Sequence, residues 1–137
     1  MPDIQIIQFD PNTGVGTVTL GNNPKKLTGI DLLAQVVALS YLRNPGQDVI
    51  APTEGSGVRA DIGQTNITSA DQASLLLMQR TKTVETEVIS RQLASDDPSE
   101  KLKSLTVISV AADLSNAAVS AMVKIVNETG ETTTILV

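Results

Sequence analysis

The stretch AAVSAMVKIVNETGETTTILV, residues 117–137, decides the fold class. Ala117, Val119, Ala121, Val123 and Ile125 recur at every second position, the period of a strand with one buried face. Asn127-Glu128-Thr129-Gly130 follows as a hairpin turn, with Gly130 where the backbone needs φ > 0. Thr132 to Val137 then returns as a strand rich in β-branched residues. Upstream, Leu105 to Val110 reads as another strand, linked to the first by Asp113-Leu114-Ser115-Asn116. A three-stranded antiparallel meander is the simplest arrangement of these pieces.

Two helices precede that sheet in the pattern. Thr28 can cap the first, with Asp31 three residues later, where a carboxylate suits free amides and the helix dipole. Leu32, Leu33, Val36, Val37 and Leu39 give it one wide apolar face, with Tyr41 and Leu42 near its end, and Asn44-Pro45-Gly46 stops it. The second starts at Thr68 or Ser69, since Ser69 with Gln72 or Thr68 with Asp71 makes a capping box. Leu76, Leu77, Arg80, Val84, Val88, Arg91 and Leu93 fall near helical spacing, and Ser95-Asp96-Asp97-Pro98 ends the run. Before the first helix, Ile4, Ile6, Ile7 and Phe9, a turn at Asp10-Pro11-Asn12-Thr13-Gly14, and Val15 to Leu20 spell a β-hairpin. It leans on the main sheet or reaches to a neighbour; its spacing does not decide which. The expected fold is α+β: two helices packed on a small, mainly antiparallel sheet, with an N-terminal β-hairpin arm over residues 1–24 and the main domain over residues 25–137.

The chain has 137 residues, enough for one core, with 41% hydrophobic and 18% charged residues, an ordinary globular composition. It contains no Cys and no His, which removes disulfides, thiolate nucleophiles, the usual general base and the commonest metal ligands. A net charge of -5 with 1% aromatic residues leaves neither the basic footprint nor the stacking platforms of a nucleic-acid binder. The same charge opposes an anionic membrane surface, and no run of about 18 apolar residues spans a bilayer. No signal-peptide pattern opens the sequence, so synthesis and assembly in a cytoplasm are expected.

Chemistry is hard to place on these residues. Glu85 and Glu87 stand two apart on a helix, so their side chains diverge, and Asp96 and Asp97 sit beside a proline at a helix end. All four read as solvated acids, and an acid/base carboxylate pair would need burial to separate its pKa values. Gly14-Val15-Gly16 lacks the third glycine and the helix of a dinucleotide motif, and Ser56 in Gly55-Ser56-Gly57 has no His to activate it. Asn66-Ile67-Thr68 and Asn127-Glu128-Thr129 match glycosylation acceptors by chance in a chain without an export signal. No catalytic residue, cofactor or metal is therefore expected.

Two features remain. The segment from Asn44 to Gly63 is punctuated by Gly and Pro and reads as a long surface loop or a working one. The end of the chain, Glu131-Thr132-Thr133-Thr134-Ile135-Leu136-Val137, has high β-propensity and little charge. As an edge strand it would be an aggregation hazard unless something pairs with it. It is either an inner strand paired on both sides or the place where a partner adds a strand through backbone bonds.

The order of these elements resembles a family. Asn44-Pro45-Gly46, then Val49, then Pro52-Thr53-Glu54-Gly55-Ser56-Gly57-Val58, lying between two helices, is similar to the signature of the small baseplate wedge proteins of contractile phage tails. These are also called sheath initiators or lysozyme-like baseplate wedge proteins, with relatives in type VI secretion baseplates. The resemblance runs from about Thr28 to Val137; the hairpin lies outside it. Where many members carry Glu-Pro-Arg after the second helix, this chain has Asp97-Pro98-Ser99. The resemblance implies a non-enzymatic virion protein of the tail baseplate, assembled in the host cytoplasm. Its partners would be the tail sheath protein, other wedge proteins and the tail tube, with no nucleic acid and no membrane. Its C-terminal sheet, Glu131 to Val137 included, would accept strands donated by a sheath subunit. Asn44, Pro45, Gly46, Pro52, Gly55, Ser56 and Gly57 would form the family loop. The other structural reading is a ring-forming tail terminator or neck protein that uses side-chain interfaces between copies. A small carboxylate hydrolase is a third.

Overall fold

The computed structural model describes residues 3–5, 7–18, 26–42, 69–113 and 118–137. In chain order these form β1 (Asp3–Ile4), β2 (Ile7–Phe9), β3 (Gly16–Val18), β4 (Lys26–Leu27), α1 (Gly29–Leu42), α2 (Ala70–Arg91), a 3-10 turn (Pro98–Glu100), β5 (Leu102–Asp113), β6 (Ala118–Asn127) and β7 (Thr132–Leu136). The fold is α+β. β5, β6 and β7 form an antiparallel meander with β6 in the centre. α2 runs along β5, and α1 lies against β7 and β6.

The alternation along β6 sets the core. Ala121, Val123 and Ile125 are buried on the helix side, opposite Val110, Val107 and Leu105 of β5. Ile135 of β7 sits beside Val123 on the same face. Leu33, Val37 and Tyr41 of α1 and Leu77, Val84 and Val88 of α2 close over them in one cluster. β5 is twice as long as the run Leu105 to Val110 suggests, because its pattern is not strictly alternating. Residues 102, 105, 107, 110 and 112 face the helices, with register shifts between Leu102 and Ser104 and between Val107 and Ser109. Each bulge inserts one residue, Lys103 or Ile108, so a strand that would otherwise turn its apolar set outward stays in phase.

The helices start where the sequence reading puts them, and only the end of α2 differs from it. α1 begins at Gly29, whose φ of +66° suits only glycine well. The Gly29 amide donates to the Glu100 carboxylate at 3.3 Å, so the 3-10 turn supplies a negative group at this helix start. α1 is buried on most sides, Gln35 and Ser40 included, whereas Val36 and Leu42 are exposed. Ser69 caps α2 by accepting from the Gln72 amide at 3.2 Å, as one of the two boxes expects. α2 stops at Arg91, several residues before Asp96-Asp97-Pro98. Gln92 leaves the helix with ψ 137° because its side-chain amide pairs with the backbone of Leu102, where its oxygen accepts the Leu102 N–H. The Tyr41 hydroxyl and the Thr81 hydroxyl share a 2.6 Å hydrogen bond between α1 and α2, and burial pushes the Tyr41 phenol up to about 12.

The hairpin forms as β2 and β3, with Ile7 opposite Val18 and Phe9 opposite Gly16. A second short ladder pairs β1 with β4, Asp3 opposite Leu27 and Ile4 opposite Lys26. The open question of where the hairpin leans is answered by contacts. Ile7 belongs to the main core cluster, and its amide donates to the buried Gln35 side chain at 3.1 Å.

Candidate functional site

Among the described residues β7 is an edge strand, and its hydrogen-bond parity says which of its groups face outward. Ala121 and Val137 exchange both backbone bonds, at 2.8 and 2.9 Å, so they are a hydrogen-bonded pair. Asn127 and Glu131 lie in the same phase at the other end, where the Asn127 N–H donates to the Glu131 carbonyl at 3.1 Å. The intervening register then places the backbone groups of Ile135 and Thr133 toward β6, and those of Thr132, Thr134 and Leu136 away from it. The Leu136 N–H is taken by the Gly14 carbonyl at 2.9 Å. Among the described residues, the outward backbone groups of Thr132 and Thr134 have no partner. Of the three outward positions of β7, one is therefore bonded by the chain itself.

β7 is held in place by its turn. Gly130 takes φ +88°, as expected from its position. Asn127 is fully buried and does most of the fastening. Its side-chain oxygen accepts from the Glu131 amide and the Thr129 hydroxyl, both at 2.8 Å. Its side-chain nitrogen donates to the Ser99 carbonyl at 2.9 Å. Nothing in the periodicity marks Asn127 as buried, because an Asn at a strand end reads as turn chemistry.

The opposite edge of the sheet is largely closed along its first half. Glu85 of α2 accepts the Leu105 N–H at 2.8 Å, and Gln92 pairs with Leu102. The expectation that Glu85 and Glu87 are solvated is corrected here, since each side chain is mostly shielded. Their divergence is as expected: Glu85 turns to β5 and to Lys82 at 2.9 Å, and Glu87 pairs with Arg91 at 2.6 Å. A carboxylate over a strand edge replaces the missing neighbour strand, a role that needs knowledge of which strand the helix flanks. Asp96 and Asp97 do act as turn residues, accepting from the Leu93 and Ser99 amides at 2.8 and 2.9 Å.

Burial alone would push the Glu85 carboxyl up, but the Leu105 N–H and Lys82 outweigh it and hold its pKa below the ordinary 4.5. The folded chain therefore binds this proton less readily than the unfolded chain. The stabilisation is present above pH 4.5 and is lost as pH falls through the folded-state value. Glu85→Gln, which keeps an acceptor for Leu105, is expected to flatten the acid limb of the stability profile. Urea midpoints measured from pH 5 down to pH 3 check this, and an unchanged slope counts against it.

Two hollows bordered by described residues measure about 180 Å³, beside Leu33, Val88 and Gln92, and about 220 Å³, beside Ala111 and Val119. Both fall short of the ~300 Å³ at which small-molecule sites begin. Among the described residues no group of three or more Asp or Glu is placed to hold a metal, and no helix is long and apolar enough to cross a membrane. Asn44, Pro45, Gly46, Pro52, Gly55, Ser56 and Gly57 lie outside the described residues. In comparisons with protein-family models, curated proteins and solved structures, nothing matches this chain.

Proposed function

We propose that this chain is a structural component of a contractile tail baseplate and nucleates sheath assembly by accepting a strand from a sheath subunit along β7. The observation that carries the reading is that the outward backbone groups of Thr132 and Thr134 find no hydrogen-bond partner among the described residues, on a strand with no charged side chain of its own. Such an edge offers backbone hydrogen bonds and little else, which is what strand addition requires. The family-like pattern around Asn44 to Val58 supplies the context of wedge proteins, sheath and tail tube. In this reading the chain works in the virion, after assembly in the host cytoplasm, and performs no catalysis.

Thr134→Pro tests it without dismantling the domain. Proline removes an N–H that points away from β6, a position that edge strands tolerate. The variant should melt within a few degrees of the wild type, and baseplates carrying it should fail to seed sheath by negative-stain microscopy. Sheaths of normal number on such baseplates would overturn the assignment.

A ring-forming tail or neck component is the second reading, and one observation favours it. Leu75 and Met78 near the start of α2 and Ile89 near its end are exposed apolar residues on the face away from Leu77, Val84 and Val88, with Lys82 and Thr86 between them, and Leu93 is exposed just beyond the helix. Such residues suit side-chain packing between subunits. Sedimentation separates the two: a closed ring of the purified chain supports the second reading, and a monomer supports the first.

A further inference from the structure

The third outward rung of β7 is occupied by a feature outside the family resemblance, the turn between β2 and β3. Gly14 is buried, has φ +72°, and brings its carbonyl to the Leu136 N–H. A Cβ at this position would lie 3.1 Å from the Thr134 carbonyl oxygen and 3.3 Å from the Leu136 nitrogen. Only a glycine fits so close to the strand in that conformation. The turn is stiff. The Gly14 N–H donates to the Asp10 carbonyl at 2.8 Å, the Asp10 N–H to the Val15 carbonyl at 2.9 Å, and the Asp10 carboxylate accepts from the Asn12 amide at 2.7 Å. It is also anchored, since β2 carries Ile7 into the core and onto Gln35.

A strand added to an antiparallel edge makes its bonds at every second residue, about 7 Å apart. Among the described residues Thr132 and the Thr134 N–H are available on that spacing, whereas the Thr134 carbonyl, against which Gly14 packs, and the Leu136 N–H are not. We infer that the Asp10–Gly14 turn is a register stop for the incoming strand. The donated segment pairs at Thr132, reaches the Thr134 N–H, and must end or leave the sheet there, before the Thr134 carbonyl and Leu136. This rests on β7 being the acceptor edge. The partner it selects is a short extended segment that bonds to Thr132 and to the Thr134 N–H, and a longer strand would collide with the turn. The same stop keeps the free edge short, which limits edge-to-edge pairing between copies of this chain.

The test uses the full chain alone. Amide hydrogen exchange of the wild type should show Leu136 slow, with Thr132 and Thr134 at least roughly tenfold faster. Gly14→Ala strains the turn and fills the close approach; Gly14→Asn tolerates positive φ and still fills it. Both should release Leu136 while Ile135, bonded to β6, stays slow. Both should also sediment as concentration-dependent dimers, because the bare edge is one rung longer. Adding Thr134→Pro to Gly14→Asn should return the monomer. Leu136 exchanging as fast as Thr134 in the wild type overturns the inference, as do variants that free Leu136 without associating and a double variant that still dimerises. A protected Leu136 on a chain that fails to seed sheath defeats the baseplate reading and leaves the stop intact. Seeding by a chain with an unprotected Leu136 does the reverse.

Discussion

Ile125→Ala is expected to lower the unfolding free energy by about 2–5 kcal/mol and the melting temperature by roughly 10 °C or more. Ile125 is 0% exposed and sits on the central strand, between Leu105 of β5 and Thr133 of β7, beneath both helices. Truncation removes three buried carbons and leaves a hole that strands on both sides cannot collapse to fill. Against a total stability of about 5–15 kcal/mol the loss is a large fraction. Ile108→Ala is the control. Ile108 is the extra residue of a bulge and is 57% exposed, so its loss should cost no more than about 0.5 kcal/mol. Urea titration of the two variants beside the wild type checks the contrast; equal shifts would contradict the assigned facing of the sheet.

Asn127→Ala is expected to cost about 2–4 kcal/mol despite removing no apolar contact. The side chain, itself 0% exposed, makes three hydrogen bonds, to the Glu131 amide, the Thr129 hydroxyl and the Ser99 carbonyl. Deletion removes a partner from the Glu131 amide and the Ser99 carbonyl, and a shielded unsatisfied donor or acceptor costs more than a hydrogen bond gains. Asn127→Asp separates the contributions. The carboxylate keeps both accepted bonds, loses the donation to Ser99, and sets a negative charge beside Glu131. It should recover part of the loss at acid pH and little at neutral pH. Calorimetry at two pH values reads the difference. Because Asn127 fixes where β7 departs from the turn, Asn127→Ala should also speed amide exchange along Thr133 and Ile135 before the rest of the sheet responds.

The parts of the fold that follow one clean period were legible in the residues. β6 alternates from Val119 to Ile125, and Gly130 and Ser69 mark a turn and a cap by chemistry that acts locally. β5 was read short, because the bulges at Lys103 and Ile108 break its alternation and only a partner strand reveals the true phase. The end of α2 was misplaced for a related reason. Pro98 is a strong stop signal, but Gln92 is drawn away earlier by the backbone of Leu102, a contact between elements. Of the candidate site, the edge strand itself was visible in Thr132 to Leu136. Its closure at one rung was not, since Gly14 reads as an ordinary turn glycine until the strand it faces is known. Glu85 reads as a solvated acid for the same reason: an acid on a helix carries no sign that it covers a strand edge.

The bond from the Leu136 N–H to the Gly14 carbonyl joins two residues far apart in sequence. On a ribosome the turn emerges well before its receptor, because β7 is made after both helices and the other two strands of the meander. The hairpin can hold its own ladder and meet Gln35 of α1 in the meantime, but it has nothing to clasp until β7 has been made. During that interval the nascent polypeptide is vulnerable at its unfinished margin, and closing the clasp reports that the meander is in place.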